Sequence, residues 1–471
     1  MKPDEFRRHG HALVDWIADY LSTVGQLPVI PAVRPGDVRR QLPPAPPLEG
    51  EPFETVFQDF REIVMPGMTH WNHPGWFAYF PCNNSPPSIL GEMLTVGVGA
   101  QCMSWATSPA ATELEQVVMD WLRQMLELPD GFVGVIQDTA STATLVALLS
   151  ARERATSGAA GTQGMVKAGA RLAVYASQEA HSSVDKAVKL AGYGLEQLRR
   201  IPVDAEFALD SAALDRAVLA DREAGIVPAC VVASVGTTSS TAIDPVPVIG
   251  EICRRHGAWL HVDAAFAGTA AIVPELRWLL DGVELADSVV LNPHKWLLTN
   301  FDCSAYFVRD PETLLRTFQE TPEYLRTVYD ADAVNYRDWG IQLGRRFRAL
   351  KLWFVLRSYG VEGLRGMIRR HVALAQEFKS WVEQRPDFEV MAPAPLSLVC
   401  FRYRRPETPE KELDALNERL LAKVNATRRV HLSHTRLNGR YAIRLAVGQR
   451  ETQREHVMEA WALIREAAET L

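Results

Sequence analysis

In the stretch LNPHKWLLTN, residues 291–300, a lysine follows the short, mostly apolar run Ser288-Val289-Val290-Leu291. His294 and Trp296 flank Lys295, and Phe301 follows closely. Burial among such neighbours favours the neutral amine, the form that adds to an aldehyde. Asp263, in HVDAAFAG, ends a second apolar run, and Ala264 and Ala265 after it leave room for a planar ligand. A carboxylate in such surroundings needs a cation or a proton donor beside it, unless it merely caps the next turn. His181, in SQEAHSSVDKA, lies at a strand-to-helix connection. Its ring can stack on a flat ligand or serve as a satisfied structural histidine. Thr139, Ala140, Ser141 and Thr142 open a helix, where free backbone N–H groups cradle an anion or the hydroxyls simply cap.

These residues need a scaffold that brings them together. Apolar runs at Leu172–Ala176, Ala229–Val235, Ala258–Val262, Ser288–Leu291 and Ala305–Val308 read as strands, mostly separated by helical patterns. A helix is expected over Pro109–Leu128 and another over Ser141–Arg154, the latter after a short GVI run. That rhythm predicts an α/β domain with a largely parallel sheet, whose ligands gather at the carboxyl ends of the strands. Pyridoxal 5'-phosphate requires the set described above. Its phosphate needs donors, its ring a face, its pyridine nitrogen an acidic partner, and its aldehyde a lysine.

Outside that block, Pro3–Leu21 reads as an amphipathic helix, followed by the proline-rich stretch 28–52, which cannot form a regular helix or central strand. A lone helix with such an arm must lie on the main body or on a partner subunit. After the block, helices are expected at Gly344–Tyr359 and Val361–Arg385. Strands at Leu396–Tyr403 and Tyr441–Val447 bracket a helix near Glu410–Val424, and a last helix covers Glu451–Ala467. The expected division is therefore an arm (1–84), a large domain (85–360) and a smaller α+β carboxyl-terminal domain (361–471).

A formal net charge of -7, with no long basic run, offers nothing to nucleic acid. No apolar stretch reaches the roughly 20 residues that a membrane crossing needs. The six cysteines are scattered without zinc spacing or a disulfide framework, which predicts free thiols, no metal and a cytoplasmic setting.

Over nearly its whole length the chain resembles the aromatic-L-amino-acid decarboxylases of the group II pyridoxal-phosphate decarboxylases. The resemblance rests on MPGMTHWNHPGWFAYFP (65–81), SWATSPAATELE (104–115), GVIQDTASTATLVALLSARERA (134–155), AHSSVDKA (180–187), WLHVDAAFAG (259–268), LNPHKWLLTNFDCSAYFV (291–308) and LGRRFRALKLWFVLRSYG (343–360). It implies the aspartate-aminotransferase fold, fold type I, in a homodimer whose amino-terminal helices wrap the neighbouring subunit. Lys295 matches the Schiff-base lysine, Asp263 the partner of the pyridine nitrogen, and His181 the stacking histidine. Ala140, Ser141, Asn292 and His294 match phosphate contacts, Thr238 a cofactor-ring contact, and Ala265 the opposite ring face. Trp71, Tyr79, Phe80 and Pro81 match an aromatic substrate wall, joined by Phe301 and by residues 101–103 of the partner chain. A mobile loop matches 321–340, with Tyr336 at the position of a tyrosine that protonates the substrate carbon after carbon dioxide leaves, and Tyr329 as a substitute.

Cys82 and Asn83 depart from the residues of animal members, and Gln101 and Met103 replace apolar and aromatic residues at the pocket rim. The activity implied is decarboxylation of an aromatic L-amino acid: DOPA, tyrosine, tryptophan, 5-hydroxytryptophan or phenylalanine. Aldehyde synthesis is the nearest alternative, and its enzymes in this family often lack the loop tyrosine or the histidine that Tyr336 and His181 match. Histidine or glutamate decarboxylation, and a catalytically dead binding homologue, fit the residues less well.

Overall fold

The computed structural model describes residues 1–471 apart from positions 321, 331 and 406. Seven strands form one sheet: β1 (Val133–Gln137), β2 (Leu172–Ser177), β3 (Leu198–Ile201), β4 (Val227–Ser234), β5 (Trp259–Asp263), β6 (Ser288–Leu291) and β7 (Ser304–Val308). Their order is β1-β7-β6-β5-β4-β2-β3. Neighbours β3, β2, β4, β5 and β6 pair in parallel, whereas β7 runs antiparallel to both β6 and β1. The largely parallel sheet expected from the sequence is therefore borne out, with one reversed strand inside it.

Strands β2, β5, β6 and β7 are buried at every position, because helices cover both faces. The Ala140–Ala155 helix contributes Ala143, Val146, Ala147, Leu148 and Ala151 to one of those cores. It begins where Thr139 accepts the Thr142 amide at 3.4 Å, and the helix before β5 ends on Gly257 in the left-handed conformation. The two helices expected over 344–385 form one segment, Arg348–Glu383, broken at Gly360 (φ 64°, ψ 169°).

A second sheet comprises β8 (Phe388–Val390), β9 (Leu398–Tyr403), β10 (Ser433–Leu437) and β11 (Arg440–Ala446), in the order β10-β11-β9-β8. The chain forms two compact units. One holds residues 1–81, 377–389 and 401–471, and the other holds 82–376 and 390–400. The amino-terminal segment thus belongs to the same unit as the carboxyl-terminal residues. The second boundary falls near 376 rather than 360, beyond the Gly360 kink. Within the first unit Val29, Trp76 and Ala78 share a small core, which gives the proline-rich stretch a seat.

Candidate active site

Strand β6 runs out at Leu291, and a four-residue helix, Pro293–Trp296, carries Lys295. The turn is held from outside the sheet. Asn83 Nδ2 donates to the Lys295 carbonyl (3.0 Å), and Ser85 Oγ donates to the Leu298 carbonyl (2.8 Å). Behind the lysine, Trp296 stacks on Phe266 (4.6 Å), and its indole N–H donates edge-on to His371 Nδ1 (2.9 Å). Burial lowers the Lys295 pKa, and the charge of Asp263 opposes that shift. The amine is therefore drawn toward its nucleophilic form while a carboxylate stays close enough to bias it.

Asp263 ends β5, buried, with Oδ1 accepting the Ala265 amide (3.1 Å). The Ala265 carbonyl in turn accepts the Asn292 amide (3.0 Å), tying the ends of β5 and β6 together. His181 precedes the Ser183–Leu190 helix, and its Nδ1 accepts the Ser183 amide (3.1 Å). Desolvation lowers its pKa, Asp263 raises it and Lys295 lowers it, so the three groups share one electrostatic neighbourhood.

The residues expected to cradle an anion follow the carboxyl ends of β6 and β1, on either side of β7. His294 Nδ1 accepts the Cys303 amide (2.9 Å), which leaves the ring proton on Nε2 as a donor. Burial first, and Lys295 next, lower the His294 pKa to about 3, so the ring is neutral. Asn292 is buried and its Oδ1 accepts from Ser304 Oγ. Ala140 and Ser141 occupy the first turn of the Ala140–Ala155 helix, where amides have no intrahelical acceptor. Thr238 lies exposed in the connection after β4.

Cys82 is near the lysine: burial raises its thiol pKa and Lys295 lowers it. Phe301 is exposed, with its ring 4.7 Å from His294. Gln101 is engaged within its own chain, because its Oε1 accepts the Arg345 amide (3.1 Å). The Met103 carbonyl accepts the Arg337 amide (2.9 Å). In the other unit, Trp71 packs on Trp76 (4.3 Å) and stacks with Tyr79 (5.9 Å), presenting an aromatic face. Tyr79 adopts φ 55°, and the Arg444 guanidinium lies over Phe80 at 5.3 Å. Pro81 packs where a side chain at Gly448 would clash.

Tyr336 is placed against expectation. It is 3% exposed, its hydroxyl donates to the Gly134 carbonyl (3.4 Å), and Arg345 covers its ring at 4.8 Å. Gly134 pairs with Phe307, whereas the carboxyl end of β1 is the Gln137–Ser304 rung. Three residues of strand, about 10 Å, separate that hydroxyl from the strand ends. Burial also holds the phenol well above its ordinary pKa. Tyr336 is thus an anchor, part of a buried knot in which Arg345 Nη2 donates to Glu115 Oε1 (2.6 Å) and to the Ile136 carbonyl (2.8 Å). Tyr329 is 47% exposed and leans on Trp105 (4.7 Å), whereas Tyr324 is 78% exposed on the short turn Glu323–Leu325. Nothing in the sequence singles out Tyr324, since no periodicity in a loop reports how deep each tyrosine sits. Positions 321 and 331 of that loop lie outside the described residues.

An amine, a carboxylate and an imidazole after the carboxyl ends of parallel strands fit a pyridoxal-phosphate enzyme of the α/β type. The pyridoxal-dependent decarboxylase conserved domain matches residues 35–404, and the chain belongs to that family. It is 46% identical to the aromatic-L-amino-acid decarboxylase of Sus scrofa, covering 100% of this chain and 98% of that protein. It is 44% identical to a phenylacetaldehyde synthase of Arabidopsis thaliana, covering 100% and 97%. A crystal structure of Oryza sativa TDC with PLP and tryptamine superposes with a TM-score of 0.96 at 41% identity, covering 100% and 99%. Among the described residues no group of side chains could hold a metal ion, and no helix is long and apolar enough to cross a membrane.

The donor set fits pyridoxal phosphate. The neutral His294 offers an N–H, the helix start offers amides, Asp263 offers a negative charge, and Lys295 offers an amine whose pKa burial has lowered.

Proposed function

We propose that the protein decarboxylates aromatic L-amino acids, releasing the arylalkylamine and carbon dioxide. The observation that carries this reading is the shared neighbourhood of Lys295, Asp263 and His181, which follow the carboxyl ends of β6, β5 and β2. Bound pyridoxal phosphate supplies an electron sink for the pair of electrons left at Cα when the carboxylate departs. Lys295 would hold the cofactor covalently and give way to the substrate amine. Asp263 would keep the pyridine nitrogen protonated, His181 and Ala265 would bracket the ring, and Thr238 would contact its edge. Asn292, His294, Ala140 and Ser141 would hold the phosphate.

The Trp71–Trp76–Tyr79 face and the names of the relatives support an aromatic side chain in the substrate. The proton returned to Cα must come from a group that is free to reach it. Tyr324, with its ring in solvent, suits that task better than Tyr336, which is locked under Arg345. A competition assay with DOPA, tyrosine, tryptophan, 5-hydroxytryptophan and phenylalanine, quantifying amine, aldehyde and hydrogen peroxide together, tests the reading. Amine should dominate, and aldehyde with peroxide in equal yield would transfer the protein to the synthases. Tyr324→Phe should lower amine production about 100-fold, the span of a general acid, while Tyr336→Phe should stay within about threefold.

The Pro3–Thr23 helix buries only His9, and Leu90, Met93, Leu94, Val96 and Val98 stand exposed on the Pro86–Val98 helix. That much uncovered apolar surface supports a homodimer. Light scattering should give twice the chain mass, and a monomer at micromolar concentration rejects the dimer. Six free cysteines, five of them buried, support a reducing, cytoplasmic setting.

A further inference from the structure

The carboxyl-terminal half of the 321–340 segment is fastened to residues 101–105 at several points. Arg337 donates its amide to the Met103 carbonyl (2.9 Å), and the Trp105 amide donates to Asn335 Oδ1 (3.0 Å). Further along, the Cys102 amide donates to the Arg345 carbonyl (2.9 Å), while Gln101 accepts the Arg345 amide. The knot of Tyr336, Arg345 and Glu115 lies beneath, so this base is rigid.

Asn335 faces both ways. Its Oδ1 rests on Trp105, and its Nδ2 donates to Asp330 Oδ1 (3.1 Å). Asp330 then accepts the Thr327 amide (3.0 Å) and the Thr327 hydroxyl (2.7 Å), closing the turn just after Glu323–Leu325, on which Tyr324 sits. Buried Arg337 lies 3.8 Å from the same Asp330 carboxylate. The base is thereby connected, bond by bond, to the turn next to Tyr324.

We propose that Asn335, seated on the Trp105 backbone and bonded to Asp330, is a positioning residue for Tyr324 in the decarboxylation. This rests on the reading of Tyr324 as the proton donor. An amide is the side chain that serves here, because it accepts from a backbone N–H with one atom and donates to a carboxylate with the other. Asn335→Asp keeps the acceptor for Trp105, removes the donor and sets a like charge against Asp330. Asn335→Ala removes both bonds.

The test uses the full-length holoenzyme. Asn335→Asp should lower kcat about ten- to hundredfold, the scale of a misplaced reacting group, with KM and the cofactor absorbance unchanged. Trypsin should cleave faster after the exposed Arg326. The double variant with Tyr324→Phe should be no slower than Tyr324→Phe alone, since both changes act on one proton transfer. Multiplying losses in the double variant would overturn the proposal, as would a raised KM or cofactor release at wild-type kcat. A wild-type kcat for Tyr324→Phe alone would instead overturn the assignment of Tyr324, whatever Asn335→Asp does.

Discussion

Lys295→Ala should purify folded, lose its covalent hold on the cofactor, and lower kcat by about 1,000-fold or more. The magnitude follows from removing a covalent catalyst, where general acid–base help alone contributes 10²–10⁴-fold. Folding should survive, because the turn is held by other groups: Asn83 on the Lys295 carbonyl, Ser85 on the Leu298 carbonyl, and Trp296 on His371. Burial disfavours the charged amine, so the substitution removes a penalised charge from the interior. The measurements are kcat by amine release and the visible absorbance that remains after gel filtration. Turnover within tenfold of wild type would refute the assignment.

Asp263→Asn isolates charge from shape. The amide oxygen can still accept the Ala265 amide, so the join between β5 and β6 should persist. The lost negative charge should lower kcat about 100- to 1,000-fold, on the scale of removing one preorganised electrostatic partner. A second effect has a definite sign. Asp263 raises the pKa of both His181 and Lys295, so removing its charge should move both further down. The His181 proton should be lost at a lower pH in the variant, which an NMR titration of the cofactor-free protein can read. An unchanged or upward His181 titration would break the electrostatic link on which the site rests.

Much of the site could be read in the sequence because its residues follow apolar strands. Asp263 and Lys295 each stand where such a run ends, and the structure places both at strand ends. Strand β3, Leu198-Arg199-Arg200-Ile201, was invisible because two arginines interrupt the apolar pattern. Only the fold supplies Asp221 and Asp185 to pair with them. Strand β10, Ser433–Leu437, was hidden for a related reason, since its middle is polar and it lies at the edge of the small sheet. Nothing local marks β7 as the reversed strand, because direction is a property of connections. The roles of the loop tyrosines depend on depth, and depth is set by partners distant in sequence: Gly134 for Tyr336 and Trp105 for Tyr329. The same holds for Gln101, whose side-chain carbonyl accepts the amide of Arg345, a partner distant in sequence.

The central claim is that one lysine, at the end of β6, joins the cofactor to the chain. Borohydride reduction of the holoenzyme followed by peptide mapping tests it most directly. A single phosphopyridoxyl label is expected on the peptide containing Lys295, with none in Lys295→Ala. A label on another lysine, such as the buried Lys351 that pairs with Glu92, or no label at all, would contradict it.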